Sequence, residues 1–255
     1  MELNILKKIE EKLSQGERAA LVTVTEATGS TPRKSGTIMG VFKNELMGTI
    51  GGGKIESVVI DKARELLETG KSEGFEYNLT TTDELQMNCG GTMKGYIKIF
   101  SPFPKLLICG AGHVGQKIFK VAKTLDFDLK IIDDREELKF DIPELTLGKF
   151  KDILTKERID GNTYIVIVTR GHLLDEEVLN LVKDRGAKYI GIIGSRRKIT
   201  TLKENLEKSG EIKDNIYAPI GLKLSNGTPE EIAIEVLAEI LKIKNNGELV
   251  HRTII

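Results

Sequence analysis

Lys105-Leu106-Leu107-Ile108-Cys109-Gly110-Ala111-Gly112-His113-Val114-Gly115 reads as a buried strand that runs into a glycine-rich turn and opens a helix. The turn has the form G-x-G-x-x-G. By itself that spacing is a weak signal, but a strand before it and a helix after it are the context of a dinucleotide-binding βαβ unit. Each glycine then has its own role. Gly110 makes the tight turn, Gly112 lets the backbone approach a pyrophosphate, and Gly115 lets helix and strand pack closely. The free amides at the helix start favour phosphate through their partial positive charge. His113 lies in this loop, where helix capping and nucleotide contact compete.

Downstream, the pattern alternates. Strands are predicted at 129–132, 164–168 and 189–193, and helices at 114–124, 176–183, 198–207 and 230–243. Alternation of this kind implies a parallel sheet covered on both faces, a Rossmann-like α/β domain over residues 105–255. Asp133 falls at the end of the second strand, about 20 residues after the glycine turn, where a carboxylate accepts the ribose hydroxyls of an adenosine. Such a carboxylate repels a 2′-phosphate and favours NAD over NADP; Arg135 blurs that preference. Asp175 reads as the N-cap of the helix after the third strand. Gly194-Ser195-Arg196-Arg197 follows the fourth strand on the ligand-binding edge, where Ser195 and the two arginines, Arg196 foremost, are candidates for phosphate contact, or the arginines are merely solvated. Thr228-Pro229-Glu230-Glu231 is a capping box and needs no functional explanation.

Upstream, Ser101-Pro102-Phe103-Pro104 breaks both strand and helix and marks a linker. Residues 1–100 form a smaller α+β domain: a leading helix, strands predicted at 19–24, 37–42, 45–50, 75–80 and 93–100, and a helix whose apolar face is Ile55, Val58, Val59, Ala63, Leu66 and Leu67. Gly51-Gly52-Gly53-Lys54 stands just before that helix, an anion site by geometry, though without Walker A spacing. From spacing alone a plain tight connection is equally open. Arg33 lies on a glycine-bracketed loop that suits phosphate contact, or is a solvated charge. Cys89 precedes Gly90 and Gly91, so its thiolate is a candidate ligand for a soft metal or a cofactor sulfur; a small buried hydrophobe is the alternative. Cys109, ending a buried strand, should be inert.

Composition excludes several classes. Lys plus Arg equals Asp plus Glu at 38 each over 255 residues, so no charge excess points to nucleic acid or an anionic membrane. No apolar run reaches the ~18 residues of a membrane span. Two cysteines form no disulfide framework, and a reducing cytoplasm is expected.

Taken together, the chain resembles the XdhC/CoxI family of xanthine dehydrogenase accessory factors. The stretches that carry the resemblance are Gly29-Ser30-Thr31-Pro32-Arg33, Gly51-Gly52-Gly53 with Glu56, Cys89-Gly90-Gly91, the glycine turn at 110–115, Gly194-Ser195-Arg196-Arg197-Lys198, Pro219-Ile220-Gly221-Leu222 and Thr228-Pro229-Glu230-Glu231-Ile232-Ala233. The resemblance implies a chaperone rather than a turnover enzyme. Such a protein binds the molybdenum cofactor (molybdopterin), protects it during sulfuration, and delivers it to an apo molybdenum hydroxylase such as xanthine dehydrogenase. It also implies a cysteine desulfurase as a partner and admits a homodimer. On this reading Arg33, Gly51, Gly52, Gly53, Glu56, Gly90 and Gly91 face the pterin and Cys89 the metal, while Gly110, Gly112, His113, Gly115, Asp133, Arg135, Ser195 and Arg196 hold NAD or another phosphorylated group. The chain departs from common members where Lys54-Ile55 replaces a cysteine after the triple glycine, and at Thr169-Arg170-Gly171-His172, where the family more often reads Thr-His-Asp-His. Two other readings stay open: an NAD-dependent oxidoreductase using His113 or His172 for proton transfer, and a nucleotide-sensing interaction protein without chemistry.

Overall fold

Around Pro102-Phe103-Pro104 the chain passes between two compact units, Met1–Phe103 and Pro104–Ile255. The structure, a computed structural model, describes residues 1–28, 35–78, 91–135, 142–210, 213–225 and 227–251. Among these, no helix is long and apolar enough to cross a membrane.

The first unit is an antiparallel sheet with a helix on each face. Its elements are α1 (Glu2–Ser14), β1 (Ala19–Ala27), β2 (Ile38–Val41), β3 (Leu46–Gly48), α2 (Gly53–Thr69), β4 (Glu73–Asn78) and β5 (Thr92–Phe100). The strand order is β3-β2-β1-β5-β4. Successive side chains on a strand point to opposite faces. Ala20, Val22 and Val24 of β1 therefore join Ile55, Val59, Ala63 and Leu67 of α2, while Ala19 and Leu21 join Ile5 and Ile9 of α1. Helix α2 ends at Gly70 in the left-handed conformation (φ 72°), the glycine-terminated end its sequence predicts. The Arg18 guanidinium donates to the carbonyls of Leu67 and Glu68 at 2.9 and 2.8 Å, satisfying the last turn.

The second unit is a parallel sheet of β6 (Lys105–Cys109), β7 (Asp128–Asp133), β8 (Leu145–Leu147), β9 (Thr163–Ile167), β10 (Tyr189–Ile192) and β11 (Ile216–Tyr217). Its helices are α3 (His113–Ala122), α4 (Phe150–Leu154), α5 (His172–Val182), α6 (Arg196–Ser209) and α7 (Pro229–Asn245). The strand order β11-β10-β9-β6-β7-β8 is that of the doubly wound dinucleotide-binding fold. The α/β expectation therefore holds, with both kinds of sheet. Leu106 and Ile108 of β6 pack with Ile118 and Phe119 of α3 and Val236, Leu237 and Ile240 of α7. The intervening Leu107 and Cys109 pack with Phe150 of α4, Val178 and Leu179 of α5 and Leu202 of α6. Strands buried on both faces need continuous apolar runs, which is why β6 and β9 read so plainly.

Three short elements, β8, α4 and β11, do not announce themselves in the sequence. Strands of three and two residues and a helix of little more than one turn carry no pattern of their own, and pairing with a neighbouring strand or packing on the core decides them. The predicted start of α5 is corrected: the helix begins at His172, not at 176.

Candidate functional site

In this strand order the crossovers reverse direction between β6 and β9, and the crevice beyond their carboxyl ends is where this fold takes ligands. A cavity of about 240 Å³ lies there, lined by Gly112, His113, Val114, Arg135, Val168, Thr169, Arg170 and Ile193. The three turn glycines stand differently in it. Gly110 has φ 115°, and a Cβ there would sit 2.3 Å from the Val168 carbonyl oxygen. A Cβ on Gly115 would sit 1.9 Å from the Gly110 carbonyl oxygen. The chain itself demands both glycines, for the turn and for helix–strand packing. Gly112, with φ −69° and ψ −173°, has a conformation open to any residue, and a Cβ there would meet nothing within 4 Å. Neither the backbone conformation nor a close neighbour requires a glycine at this position. The first turn of α3 has neither a side-chain cap nor an acidic residue, so no carboxylate of its own sits over its amides.

Asp133 occupies the end of β7, as predicted, but is only 2% exposed. Its Oδ2 accepts the Ala111 N–H at 2.7 Å and Arg135 Nη2 at 2.7 Å. Its Oδ1 accepts the Arg135 N–H at 3.0 Å and Arg135 Nε at 2.7 Å. Burial opposes ionisation of this carboxyl, but the Arg135 guanidinium and the Ala111 amide hold its pKa below the usual carboxylate range. The group is thus spent on fixing the glycine turn and orienting Arg135. Arg170, also on the cavity wall, is paired with Asp134 at 3.1 Å.

The N-cap reading of Asp175 is corrected. Gly171 is the N-cap of α5, and Asp175 is a buried carboxylate, 1% exposed, inside the first turn. Its Oδ1 accepts the Thr169 N–H at 3.1 Å and the Thr169 hydroxyl at 2.6 Å, and Lys198 Nζ donates to Oδ2. Lys198 also donates to the Ile193 carbonyl at 3.0 Å. This pair joins the loop after β9 to the start of α6, and Thr169 and Ile193 both line the cavity. Sequence reasoning missed Thr169, Arg170 and Lys198 as site-forming. The available signal was their position directly after β9 and β10, on the edge where the glycine turn follows β6. Ser195 is the N-cap of α6, its Oγ accepting the Lys198 N–H at 3.4 Å, and Arg196 is exposed; neither lines the cavity. His113 lines it, and His172, exposed, does not.

In the first unit, Gly51, Gly52 and Gly53 all have positive φ, at 136°, 79° and 68°. The anion they cradle is the chain's own. Glu56 Oε2 accepts the N–H groups of Ile50 and Gly52, each at 3.0 Å, and the Thr49 hydroxyl. The Gly51 N–H donates to Thr49 Oγ1 at 3.1 Å. Burial works against ionised Glu56, but the Thr49 hydroxyl and the loop amides carry its pKa below 4.5. Gly91 lies at the entry to β5, whereas Arg33, Cys89 and Gly90 fall outside the described residues. Among the described residues, no group of three or more His, Cys, Asp or Glu side chains is placed to hold a metal ion. Cys109 is fully buried, and burial with the nearby Asp175 charge pushes its thiol up to about 12, so it is inert as expected.

With this geometry in place, similarity to known proteins is informative. Residues 106–240 match the model of the XdhC Rossmann domain, and residues 13–78 match that of the XdhC and CoxI family. The chain is 31% identical to the uncharacterized protein YqeB of Escherichia coli K12 over 256 residues, 96% of this chain and 47% of that protein. It is 25% identical to a probable xanthine dehydrogenase subunit of Bacillus subtilis 168 over 171 residues, 62% of this chain and 48% of that protein. It thus spans about half the length of the curated relatives it matches. A crystal structure described as a xanthine dehydrogenase from Bacillus halodurans shares the fold, with TM-score 0.52 at 20% identity, covering 96% of this chain and 97% of that one.

Two outcomes follow from the glycines and from Glu56. Gly115→Ala should destabilise the second unit by roughly 2 kcal/mol or more, because the Gly110 carbonyl has to move, while Gly112→Ala should leave thermal stability nearly unchanged. Paired thermal melts check this, and equal losses would mean that the second glycine is structural too. Glu56 has a folded pKa below its unfolded value, so its contribution is full above pH 4.5 and is lost as pH falls through the lower folded value. Glu56→Gln should therefore weaken the first unit at neutral pH and flatten its acid dependence below 4.5, as denaturant unfolding across that range would show.

Proposed function

The chain belongs to the XdhC and CoxI family, and from that membership we propose that it is an accessory factor for a molybdenum hydroxylase of the xanthine dehydrogenase type. On this reading it holds the molybdenum cofactor and passes it to the apoenzyme, after sulfuration supplied by a cysteine desulfurase, and its second unit binds a pyridine dinucleotide in the crevice between β6 and β9. The match of both units to one family carries the proposal. The name of the Bacillus subtilis relative supports the client class.

The residues fit the two groups unequally. For a dinucleotide, the crevice offers the open face of Gly112, the uncapped start of α3, and Arg135 and Arg170 on the wall. Those groups would hold phosphates by amide and guanidinium donors. For an anionic pterin, the triple-glycine loop does not fit as it stands, because Glu56 already takes the amides of Ile50 and Gly52. Cys89 remains the thiol we propose for molybdenum or its sulfur, and the homodimer belongs to the same reading. The oxidoreductase alternative rests on His113, the histidine that lines the cavity; turnover of a reduced dinucleotide with a carbonyl substrate would favour it.

The test is purification of the chain from cells that make molybdopterin, followed by assay of pterin fluorescence and of client activation. We expect bound pterin, and we expect Cys89→Ser to lose cofactor retention and client activation while dinucleotide binding is kept. Full retention by Cys89→Ser removes Cys89 from the site, and absence of pterin from the wild-type chain overturns the chaperone reading. Calorimetry of Gly112→Val, folded but with a side chain in the crevice, should show dinucleotide binding abolished.

A further inference from the structure

A dinucleotide bound in this crevice brings its adenosine ribose to the end of β7. In a site made for NAD, a carboxylate there accepts the ribose 2′- and 3′-hydroxyls. Asp133 stands at that position yet cannot serve in this way. Its two oxygens already take the Ala111 N–H and three donors of Arg135, and it is 2% exposed. Accepting ribose hydroxyls would mean giving up a bidentate charge-assisted pair, or the amide bond that fixes the glycine turn. Arg135 lines the cavity instead, its guanidinium held by Asp133. Arg170 and His113 stand on the same wall, and Asp134 answers Arg170. The Asp133 charge is buried and offset by Arg135, so it no longer repels an incoming anion as an open carboxylate would.

We propose that this crevice selects a 2′-phosphorylated dinucleotide, of the NADP class, over the unphosphorylated one, with Arg135 as the residue that reads the 2′-phosphate. A guanidinium meets a phosphate with two parallel donors, whereas a ribose diol offers it little. The inference rests on the reading that the crevice binds a dinucleotide, and it reverses the preference that the bare sequence position of Asp133 suggests.

The experiment is calorimetric titration of the full chain with NADP⁺ and with NAD⁺, and competition by 2′,5′-ADP and by 5′-ADP. NADP⁺ should bind about tenfold tighter or more, and 2′,5′-ADP should compete where 5′-ADP does not. Arg135→Ala should remove that preference by weakening NADP⁺ about tenfold and by freeing Asp133 for ribose hydroxyls. The wild-type titrations need no variant and stand even if Arg135→Ala folds poorly. NAD⁺ binding as well as or better than NADP⁺ overturns the proposal and leaves the dinucleotide reading intact. A folded Arg135→Ala that keeps the NADP⁺ preference overturns the role of Arg135. Binding of neither dinucleotide overturns the dinucleotide reading and the proposal with it.

Discussion

Asp133 reaches back from the end of β7 to take the Ala111 amide of the turn after β6. Through this bond two neighbouring parallel strands share one constraint. It holds the glycine turn in the conformation that lets α3 start against the sheet, and the same carboxylate sets the Arg135 side chain on the cavity wall. A charged group can remain 2% exposed because four donors converge on its two oxygens; unpaired, it would cost several kcal/mol. This one carboxylate therefore ties the glycine turn and the Arg135 side chain on the cavity wall together.

Carboxylates that grip backbone amides recur through the chain. Glu56 grips Ile50 and Gly52. Glu235 accepts the N–H groups of Leu224 and Ser225 at 2.8 and 2.6 Å. Glu239 accepts the Gly221 N–H at 3.0 Å and the Tyr189 hydroxyl at 2.5 Å. Asp175 grips Thr169. Loops otherwise leave amides unsatisfied, and an ionised acceptor on an adjoining helix or strand answers them with a strong hydrogen bond. The consequence for function is that an acidic residue near a glycine loop is as much a candidate for internal support as for ligand contact. Glu56 and Asp133, both read first as cofactor residues, act in this structure as supports.

The fold was legible where the physics is local and repeated. Strand β6 coincides with its predicted span, because a strand buried on both faces is an unbroken apolar run. The roles of Gly110 and Gly115 were also legible, since a positive φ and a close helix–strand approach each leave a glycine in the sequence. The elements β8, α4 and β11 escaped, as did the true start of α5, where Gly171 rather than Asp175 is the N-cap. An aspartate near a helix start looks the same in sequence whether it caps the helix or turns inward to meet a lysine from another helix.

The sequence by itself determined the α/β class, the glycine turn and its place in a strand–turn–helix unit, and the family motifs spread along the chain. These depend on runs, spacing and backbone conformation, all properties of neighbouring residues. Only the tertiary structure decided the strand order that places the crevice between β6 and β9. It alone also decided that Thr169, Arg170 and Ile193 join Gly112 there, and that Lys198 meets Asp175. Those pairings link residues far apart in the chain, and no local pattern encodes them. Whether a carboxylate faces a ligand or the protein depends on which donors the fold brings within about 3 Å of it, and for Asp133 the fold supplied the donors first.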